Sequence, residues 1–470
     1  MSYQFDLLLK NGRVVDPITN KDGIMDVGIV EGKIVEIAPS ICPTLSQDVV
    51  DVTGKMVVPG IIDLHVHASS WLGGRFAHKM LAQAGVTTAL DMSGPMDSVI
   101  DIANNYGVGL NIACIQYVRP EHTVKTNDPD ETELQDLVDR CLSDGALGVK
   151  LLGGHYPLTP DATARAIEVA NKNHAYVAFH AGTMKNGSNI EGFLEAVELA
   201  GKHSLHIAHV NSYCRGLKKP YMQETEEAIA ALVAHPNIRS ESYLSTLNGT
   251  SAKCSNGVPE SLATQNGGLK VGGFPPTEVG MEAAILAGWA QINMESSGKM
   301  TLASGKAAVD YWRQRGTDTT VSFLVNPPEP RLRLAAAKRP SGDFVVDAIS
   351  TDGGGIPRNV IIEMGLSLVK LQVLTIQEFV LKTSSNPAAI LGLSNKGHFR
   401  PNADADITIL DYAMQKAYMT ITNGRVIMCD GLVFGKGSAI ITTAAGEMNV
   451  RSKGLKAIVV DLVTSAFYQR

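Results

Sequence analysis

The chain has 470 residues, of which 44% are hydrophobic and 19% charged, and its formal net charge at pH 7 is -6. This composition excludes disordered, collagen-like and disulfide-framework proteins. The charges form no blocks, so we expect neither a nucleic-acid partner nor a membrane surface as partner. The six cysteines form no CxxC pair, and no apolar run is long enough for a signal sequence or a membrane span. We therefore expect a cytoplasmic protein.

Both ends of the chain are predicted to form short β-strands. In residues 1–58, the dipeptides Asn11-Gly12, Glu31-Gly32 and Thr53-Gly54 favour hairpin turns between stretches of β-branched residues. Residues 396–440 show the same pattern of turn signals between β-branched stretches, and the sequence of 423–427 resembles that of 11–15. We expect the two ends to pair into one small β-sandwich domain. Residues 441–470 are expected to form a C-terminal tail that docks on a neighbour, and we also expect a homo-oligomer.

Residues 59–395 alternate apolar runs with amphipathic stretches, a pattern typical of repeated βα units around a parallel sheet. Eight such units predict an α/β fold with a (β/α)8 TIM barrel. An ordered barrel does not need a connection as long as residues 244–343, so we expect a lid or a substrate-shaping insertion there. The predicted strands lie at 61–67, 87–92, 111–118, 146–151, 175–180, 204–210, 238–243 and 344–350.

The first predicted strand ends with two histidines, His65 and His67, on the same face, because side chains alternate along a strand. Two neutral imidazoles at a strand end make half of a metal site, although this pair alone is weak evidence. Polar residues also lie at or near the ends of four other predicted strands, where barrel active sites lie. They are Lys150, His180, His209 and Asp352.

Each of these four residues also has a structural explanation when it is taken singly. Lys150 could extend its stem along apolar surface, His180 could be a core histidine, and Asp352 could cap a helix. His206 competes with His209, but the strand period of two sends them to opposite faces, and His209 is nearer the carboxyl end. We therefore predict that His209 belongs to the cluster.

Two histidines lie at the end of strand one, a lysine at the end of strand four, histidines at or near the ends of strands five and six, and an aspartate just after strand eight. Together with a β-sandwich made by both termini, this order resembles the binuclear amidohydrolase superfamily. The nearest branches are the dihydroorotases, the hydantoinases and the N-acyl-amino-acid deacylases, and segments 57–67, 386–388 and 403–409 carry the likeness. The resemblance implies two divalent metal ions, expected to be zinc. It places His65, His67 and Asp352 on one ion and His180 and His209 on the other. It also implies that Lys150 is carboxylated by CO2 and bridges the two ions.

The resemblance further implies a bridging hydroxide as nucleophile and Asp352 as the group that moves its proton to the leaving nitrogen. Tyr156 resembles the tyrosine that stabilises the oxyanion in hydantoinase-like relatives, and His155 is a weaker candidate for the same role. Arg215 and Arg358 each follow a predicted ligand by six residues, so we expect them on rim loops where either could bind a substrate carboxylate. Either arginine could instead be a solvated loop charge.

The implied activity is hydrolysis of an amide carbon–nitrogen bond in a small N-acyl amino acid or cyclic amide. Dihydroorotases usually carry an arginine soon after the two histidines, whereas Ala68, Ser69, Ser70 and Trp71 follow here, which counts against that reaction. Ser212 stands where mononuclear deaminases of the superfamily carry glutamate. A carboxylic ester hydrolase, a deaminase and a non-catalytic scaffold remain as alternatives.

Overall fold

The computed structural model describes residues 3–70 and 73–469, so Trp71 lies outside the described residues. In these ranges the chain forms one nine-stranded sheet, two six-stranded parallel sheets and two smaller antiparallel sheets. No helix within them combines the length and the apolarity needed to cross a membrane.

The N-terminal strands belong to the nine-stranded sheet. They are β1 (Phe5–Asp16), β2 (Lys21–Val30), β3 (Lys33–Ala38), β4 (Ser46–Asp51) and β5 (Met56–Pro59), with a 3-10 turn at Pro43–Leu45. The hairpin turn predicted at Asn11-Gly12 is wrong. Asn11 has a φ of 62° and its backbone N–H donates to Asp26 Oδ1 at 2.8 Å, so β1 passes through a bulge and continues. The turn at Glu31-Gly32 does join an antiparallel hairpin.

Parallel strands separated by helices follow the N-terminal sheet. The strands are β6 (Ile61–His67), β7 (Val86–Asp91), β8 (Val108–Cys114), β9 (Gln116–Val118), β10 (Gly148–Leu152), β11 (Tyr176–His180), β12 (Leu205–Ile207) and β13 (Ile238–Tyr243). The helices are α1 (Ala77–Gln83), α2 (Met96–Tyr106), α3 (Glu131–Asp144), α4 (Pro160–Lys172), α5 (Ile190–Ala200) and α6 (Tyr221–Ala234). Side chains that accept backbone N–H bonds fix several helix starts, as Asp130 does for α3 and Thr159 for α4.

The sixth predicted strand is shorter than its apolar run suggests. His209 adopts a left-handed conformation with a φ of 38°, so β12 ends at Ile207 and the chain turns into the 3-10 helix Val210–Tyr213. A non-glycine residue in this region is strained, and such strain collects at functional sites.

The predicted insertion folds around a small core of its own, which includes the fully buried Trp312. Its strands β14, β17, β18 and β19 form an antiparallel sheet, and β15 and β16 form a short hairpin. The elements are β14 (Asn248–Ser251), β15 (Cys254–Ser255), β16 (Val258–Pro259), a π-helix at Ala263–Leu269, α7 (Glu278–Leu286), β17 (Ala290–Ser296), β18 (Lys299–Ala303), α8 (Gly305–Gln314), β19 (Thr320–Phe323) and α9 (Pro328–Ala336).

The last predicted strand, 344–350, is shorter in the structure and forms β20 (Ala348–Ser350), and β21 (Gly353–Gly354) follows on the other side of Asp352. β20 pairs with β13 and β21 pairs with β6, so the series of parallel strands returns to its first member. Helices α10 (Ile361–Lys370), α11 (Ile376–Val380) and α12 (Asn386–Ile390), with a π-helix at Leu381–Ser385, complete this part of the chain.

The C-terminal strands are β22 (Ile407–Asp411), β23 (Lys416–Thr422), β24 (Arg425–Cys429), β25 (Leu432–Val433), β26 (Gly437–Thr442) and β27 (Lys456–Val459), with α13 (Glu447–Ser452) and a 3-10 turn at Leu462–Thr464. β22 pairs antiparallel with β5, so both chain ends share the nine-stranded sheet. The C-terminal segment packs on its own chain, and its docking on a neighbour stays a prediction. Strand β26 hydrogen-bonds to β8, and Phe467 stacks on Tyr176 with ring centroids 4.4 Å apart.

Candidate metal centre

Three predicted ligands lie close together. His65 and His67 are at the end of β6, and Asp352 is in the connection between β20 and β21. His65 Nε2 lies 3.2 Å and His67 Nε2 lies 2.9 Å from the same oxygen, Asp352 Oδ1. One ligand atom from each of the three residues falls within 4.8 Å of the others. Asp352 adopts a left-handed φ of 53°, which is supported by a 2.8 Å bond from its backbone N–H to His65 O.

A second pair of predicted ligands lies next to the first group. His209 Nε2 and His180 Nδ1 are 3.1 Å apart, and the rings of His209 and His65 stack with centroids 5.2 Å apart. His206 lies elsewhere, since its Nδ1 is 2.5 Å from the hydroxyl of Tyr176. The strand-period argument therefore selects the histidine that the structure places in the cluster.

Lys150 is 2% exposed and lies in the same buried region. Its Nζ donates to Met92 Sδ at 3.1 Å. Burial lowers the pKa of Lys150 to about 8, although the nearby Glu241 and Asp352 carboxylates act to raise it. Burial therefore increases the neutral fraction of the amine, which is the form that can react with CO2.

Burial favours the neutral imidazole at three histidines of the cluster. Burial holds the pKa values of His65 and His180 well below the ordinary value and lowers that of His209 to about 3. A neutral imidazole keeps a free lone pair, and metal ligation requires one.

A glutamate that the sequence analysis did not single out completes the cluster. Glu241 on β13 has no exposed surface, and its Oε1 lies 2.8 Å from His65 Nδ1. The same oxygen accepts the backbone N–H of His209 at 2.7 Å. The sequence signal for this residue was a charged side chain inside the seventh predicted strand. Glu241 lies two residues before the end of that strand, whereas the predicted ligands lie at or just after strand ends.

The two predicted substrate-binding arginines are both engaged inside the protein. Arg358 is 2% exposed, and its Nη2 and Nε donate to Asp352 Oδ2 at 2.5 Å and to Asp352 O at 2.6 Å. Its remaining nitrogen, Nη1, donates to Leu247 O at 3.3 Å. Burial alone would raise the pKa of Asp352, but Arg358 and the nearby histidines hold it well below its usual range. Arg358 thus binds the predicted proton carrier and has no nitrogen left unpaired.

Arg215 and Tyr156 lie closer to solvent and are half-buried. Arg215 Nε donates to Asn326 Oδ1 at 2.8 Å, and its Nη2 donates to the hydroxyl of Tyr243 at 2.9 Å. The guanidinium of Arg119 lies 4.3 Å from the ring centroid of Tyr156. Arg215 therefore links the loop after β12 to the insertion, and its substrate-binding role stays a prediction, as does the role of Tyr156.

A cavity of about 300 Å³ separates the loop after β6 from the insertion. Its lining includes Ser70 and Arg75 on the loop, Asn293 and Arg315 on the insertion, and Gly355, three residues after Asp352. The insertion thus contributes to the walls of a cavity near the cluster.

The arrangement of lone pairs fits a bound cation. When Glu241 is ionised, its Oε1 accepts hydrogen bonds from both the His209 backbone N–H and His65 Nδ1. His65 Nε2 then carries no proton and directs its lone pair at Asp352 Oδ1, 3.2 Å away. Two acceptors at this distance repel each other unless a cation lies between them. A mixed nitrogen and oxygen donor set of this kind suits zinc and related divalent ions.

Comparison with known proteins identifies the family. The profile of the Amidohydrolase family matches residues 56–269 and 324–435, which is more than half of the chain. The chain belongs to the Amidohydrolase family. This confirms the resemblance found in the sequence and identifies the protein as a hydrolase of the amidohydrolase class, acting on carbon–nitrogen bonds other than peptide bonds. The unmatched residues between the two ranges lie within the insertion.

Individual relatives agree with this assignment. The chain is 27% identical over 450 residues to a dihydroorotase of Pelotomaculum thermopropionicum, covering 86% of this chain and 88% of that protein. Its structure is similar to that of N-acyl-D-glutamate deacylase from Bordetella bronchiseptica, complexed with zinc and a phosphonate inhibitor (TM-score 0.66, 12% identity, 93% and 99% of the chains covered). It is also similar to dihydropyrimidinase from Brevibacillus agri (TM-score 0.61, 15% identity, 93% and 99% covered). At these identities the two structures show the mixed α/β fold.

Proposed function

We propose that this amidohydrolase hydrolyses the amide bond of a small N-acyl amino acid or a cyclic amide, with two divalent cations as cofactors. The observation that carries the proposal is the convergence of two histidine lone pairs on one oxygen of Asp352, beside a second histidine pair and a buried lysine. We also infer that the parallel strands form a (β/α)8 barrel and that the nine-stranded sheet forms a β-sandwich beside it.

In the proposed centre, His65, His67 and Asp352 hold one cation and His180 and His209 hold the other. Two nearby cations can polarise a scissile carbonyl and lower the pKa of a water molecule, which is the chemistry the cofactor supplies. Lys150 would lie between the two sites as a carbamate, formed when its neutral amine adds to CO2 and loses a proton. The low polarity around Lys150 favours that neutral amine.

The protein's own residues would position the substrate and move a proton. Asp352 would accept the proton released by the attacking water and return it to the leaving nitrogen. Arg358 would keep that carboxylate ionised and oriented, since it donates to both Asp352 Oδ2 and Asp352 O. The Tyr156 hydroxyl would donate to the oxyanion that forms on the attacked carbonyl.

The substrate class is supported by the relatives and by the surroundings of the cluster. The similar structures include an N-acyl-D-glutamate deacylase and a dihydropyrimidinase, and the curated relative is a dihydroorotase. Among the two predicted arginines, Arg215 is the better candidate for a substrate carboxylate, because Arg358 has all three nitrogens engaged. The cavity beside the insertion would then take the acyl group or the side chain of the substrate.

A substrate panel tests the proposal. Zinc-loaded protein is incubated with N-acyl amino acids, with cyclic amides and with esters of matching structure, while free amine, ring-opened acid and ammonia are quantified. The proposal expects release of amine or ring opening, with Asp352→Asn as the inactive control. Cleavage of the esters alone, or release of ammonia from aminated heterocycles alone, would favour the ester hydrolase or the deaminase instead.

A further inference from the structure

Glu241 contacts one predicted ligand of each cation site. It lies in the middle of a parallel strand, has no exposed surface, and belongs to neither predicted ligand group. Its Oε1 lies 2.8 Å from the His65 side chain and 2.7 Å from the His209 backbone N. The two histidines belong to different strands and to different proposed sites.

We infer that Glu241 is a positioning residue that couples the two cation sites by orienting one histidine of each. The inference rests on the proposed function, because it assigns Glu241 a role toward those cations. A hydrogen bond to the outer nitrogen of a metal-binding histidine fixes its tautomer and its ring orientation. When Glu241 is ionised, its Oε1 is the acceptor at His65, so Nδ1 carries the proton and Nε2 is left to bind.

At His209 the same carboxylate acts through the backbone. His209 has a φ of 38° and a ψ of 60°, a left-handed conformation that is strained in a residue other than glycine and needs support from its surroundings. The bond from the His209 N–H to Glu241 Oε1 supplies such support. It holds the imidazole of His209 facing His180, with 3.1 Å between their nearest nitrogens. One oxygen thus sets the position of two ligands.

The other hydrogen-bond partners of the ligand histidines differ from Glu241. Ser93 Oγ lies 3.2 Å from His67 Nδ1 and also donates to Asp91 Oδ1, which is not a proposed ligand, and Ser188 Oγ lies 2.8 Å from His180 Nε2. Each serine therefore touches one ligand of one proposed site. They provide matched controls, because removing either hydroxyl takes away a ligand contact without touching the other site.

The test measures zinc binding at each site rather than activity. Apo forms of the wild type and of the Glu241→Ala, Glu241→Gln, Ser93→Ala and Ser188→Ala variants are titrated with Zn2+ against a competing chelator. Crystals equilibrated at fixed free Zn2+ give the occupancy of each site by anomalous scattering. Circular dichroism establishes that every variant is folded.

We expect Glu241→Ala to weaken both sites together, by about 10- to 100-fold each, as is typical for loss of an outer-shell partner. Each serine variant should weaken one site. Glu241→Gln keeps an oxygen that can accept both bonds, so it should recover most of the affinity at both sites.

Loss at one site only in Glu241→Ala, or no loss in the folded variant, would overturn the inference. So would a Glu241→Gln variant as weak as Glu241→Ala at both sites, because charge rather than hydrogen bonding would then be responsible. A wild type that binds fewer than two zinc ions would overturn the proposed function itself, and the inference with it.

Discussion

At the scale of single residues, Asp352 is engaged at both of its carboxylate oxygens. One carboxylate oxygen faces His65 and His67, and the other accepts a hydrogen bond from Arg358. A cation at the first oxygen and a guanidinium at the second would leave Asp352 ionised and fixed in orientation. Contacts at both oxygens therefore restrict rotation of the Asp352 carboxylate and fix the direction in which Oδ1 points.

Replacing Asp352 by asparagine tests its role in proton transfer. Asparagine keeps an oxygen where Oδ1 now faces the two histidines, but it cannot carry the proton. We expect Asp352→Asn to retain most of the bound metal while kcat falls by about 10² to 10⁴, the usual contribution of general acid–base catalysis. Elemental analysis and steady-state kinetics measure the two effects. Turnover within tenfold of the wild type would show that another group moves the proton.

Replacing Arg358 by glutamine separates two roles for this arginine. If Arg358 orients Asp352, kcat should fall by about 10- to 100-fold, the equivalent of a charged hydrogen bond of about 1.5–3 kcal/mol. The loss should be equal for acidic and neutral amides, and KM should change little. A rise in KM confined to acidic substrates would instead show that Arg358 leaves Asp352 and binds the substrate carboxylate.

At the scale of elements, the insertion is a small folded unit whose two ends lie together. Asn248 on β14 and Phe323 on β19 are cross-strand partners, so the chain leaves and re-enters at neighbouring positions. The following helix α9 contacts the parallel strands, where Arg331 donates to Leu244 O. None of the proposed metal ligands lies between β14 and β19.

This geometry allows the insertion to be removed. Deleting residues 249–322 and joining Asn248 to Phe323 through a short glycine-serine link should leave the metal content unchanged, because no proposed ligand is lost. We expect the ratio of kcat/KM values across a panel of acyl groups to change, since Asn293 and Arg315 line the cavity near Gly355. A folded variant with unchanged selectivity would show that the insertion does not shape the substrate site.

Strand ends were the most informative elements for prediction, for a physical reason. Parallel strands deliver their last residues to one edge, so spacing alone brought His65, His67, Lys150, His180, His209 and Asp352 together. Glu241 was missed because it lies inside its strand and its partners are set by the packing of distant segments. The Arg358 contact was missed because a six-residue separation does not reveal that a loop folds back on its own strand end.

At the scale of the whole molecule, both chain ends pack against the parallel strands. The Thr408 hydroxyl on β22 donates to Gly85 O at 2.7 Å and accepts the Ile61 N–H at 3.1 Å. The C-terminal segment adds β26 beside β8, so it covers a strand edge that would otherwise be open. Its position was missed because its partner strand lies more than 300 residues earlier.

Phe467 provides a test of that packing. Its ring is 1% exposed and stacks on Tyr176, which follows α4 at the start of β11. Phe467→Ala should cost about 3–5 kcal/mol of unfolding free energy, as is usual for a buried phenylalanine. Thermal or denaturant unfolding measures the loss, and metal content should stay unchanged because Phe467 packs on Tyr176, at the opposite end of β11 from His180. A variant as stable as the wild type would show that the C-terminal segment contributes little.

The measurement that tests the central claim most directly is the metal content of the whole protein together with the state of Lys150. Protein prepared with zinc and bicarbonate should contain close to two metal ions per chain. A crystallographic map should show a carboxyl group on Lys150 Nζ, and Lys150→Ala should lose bound metal. A stoichiometry of one or less, with an unmodified Lys150 in the map, would contradict the binuclear account.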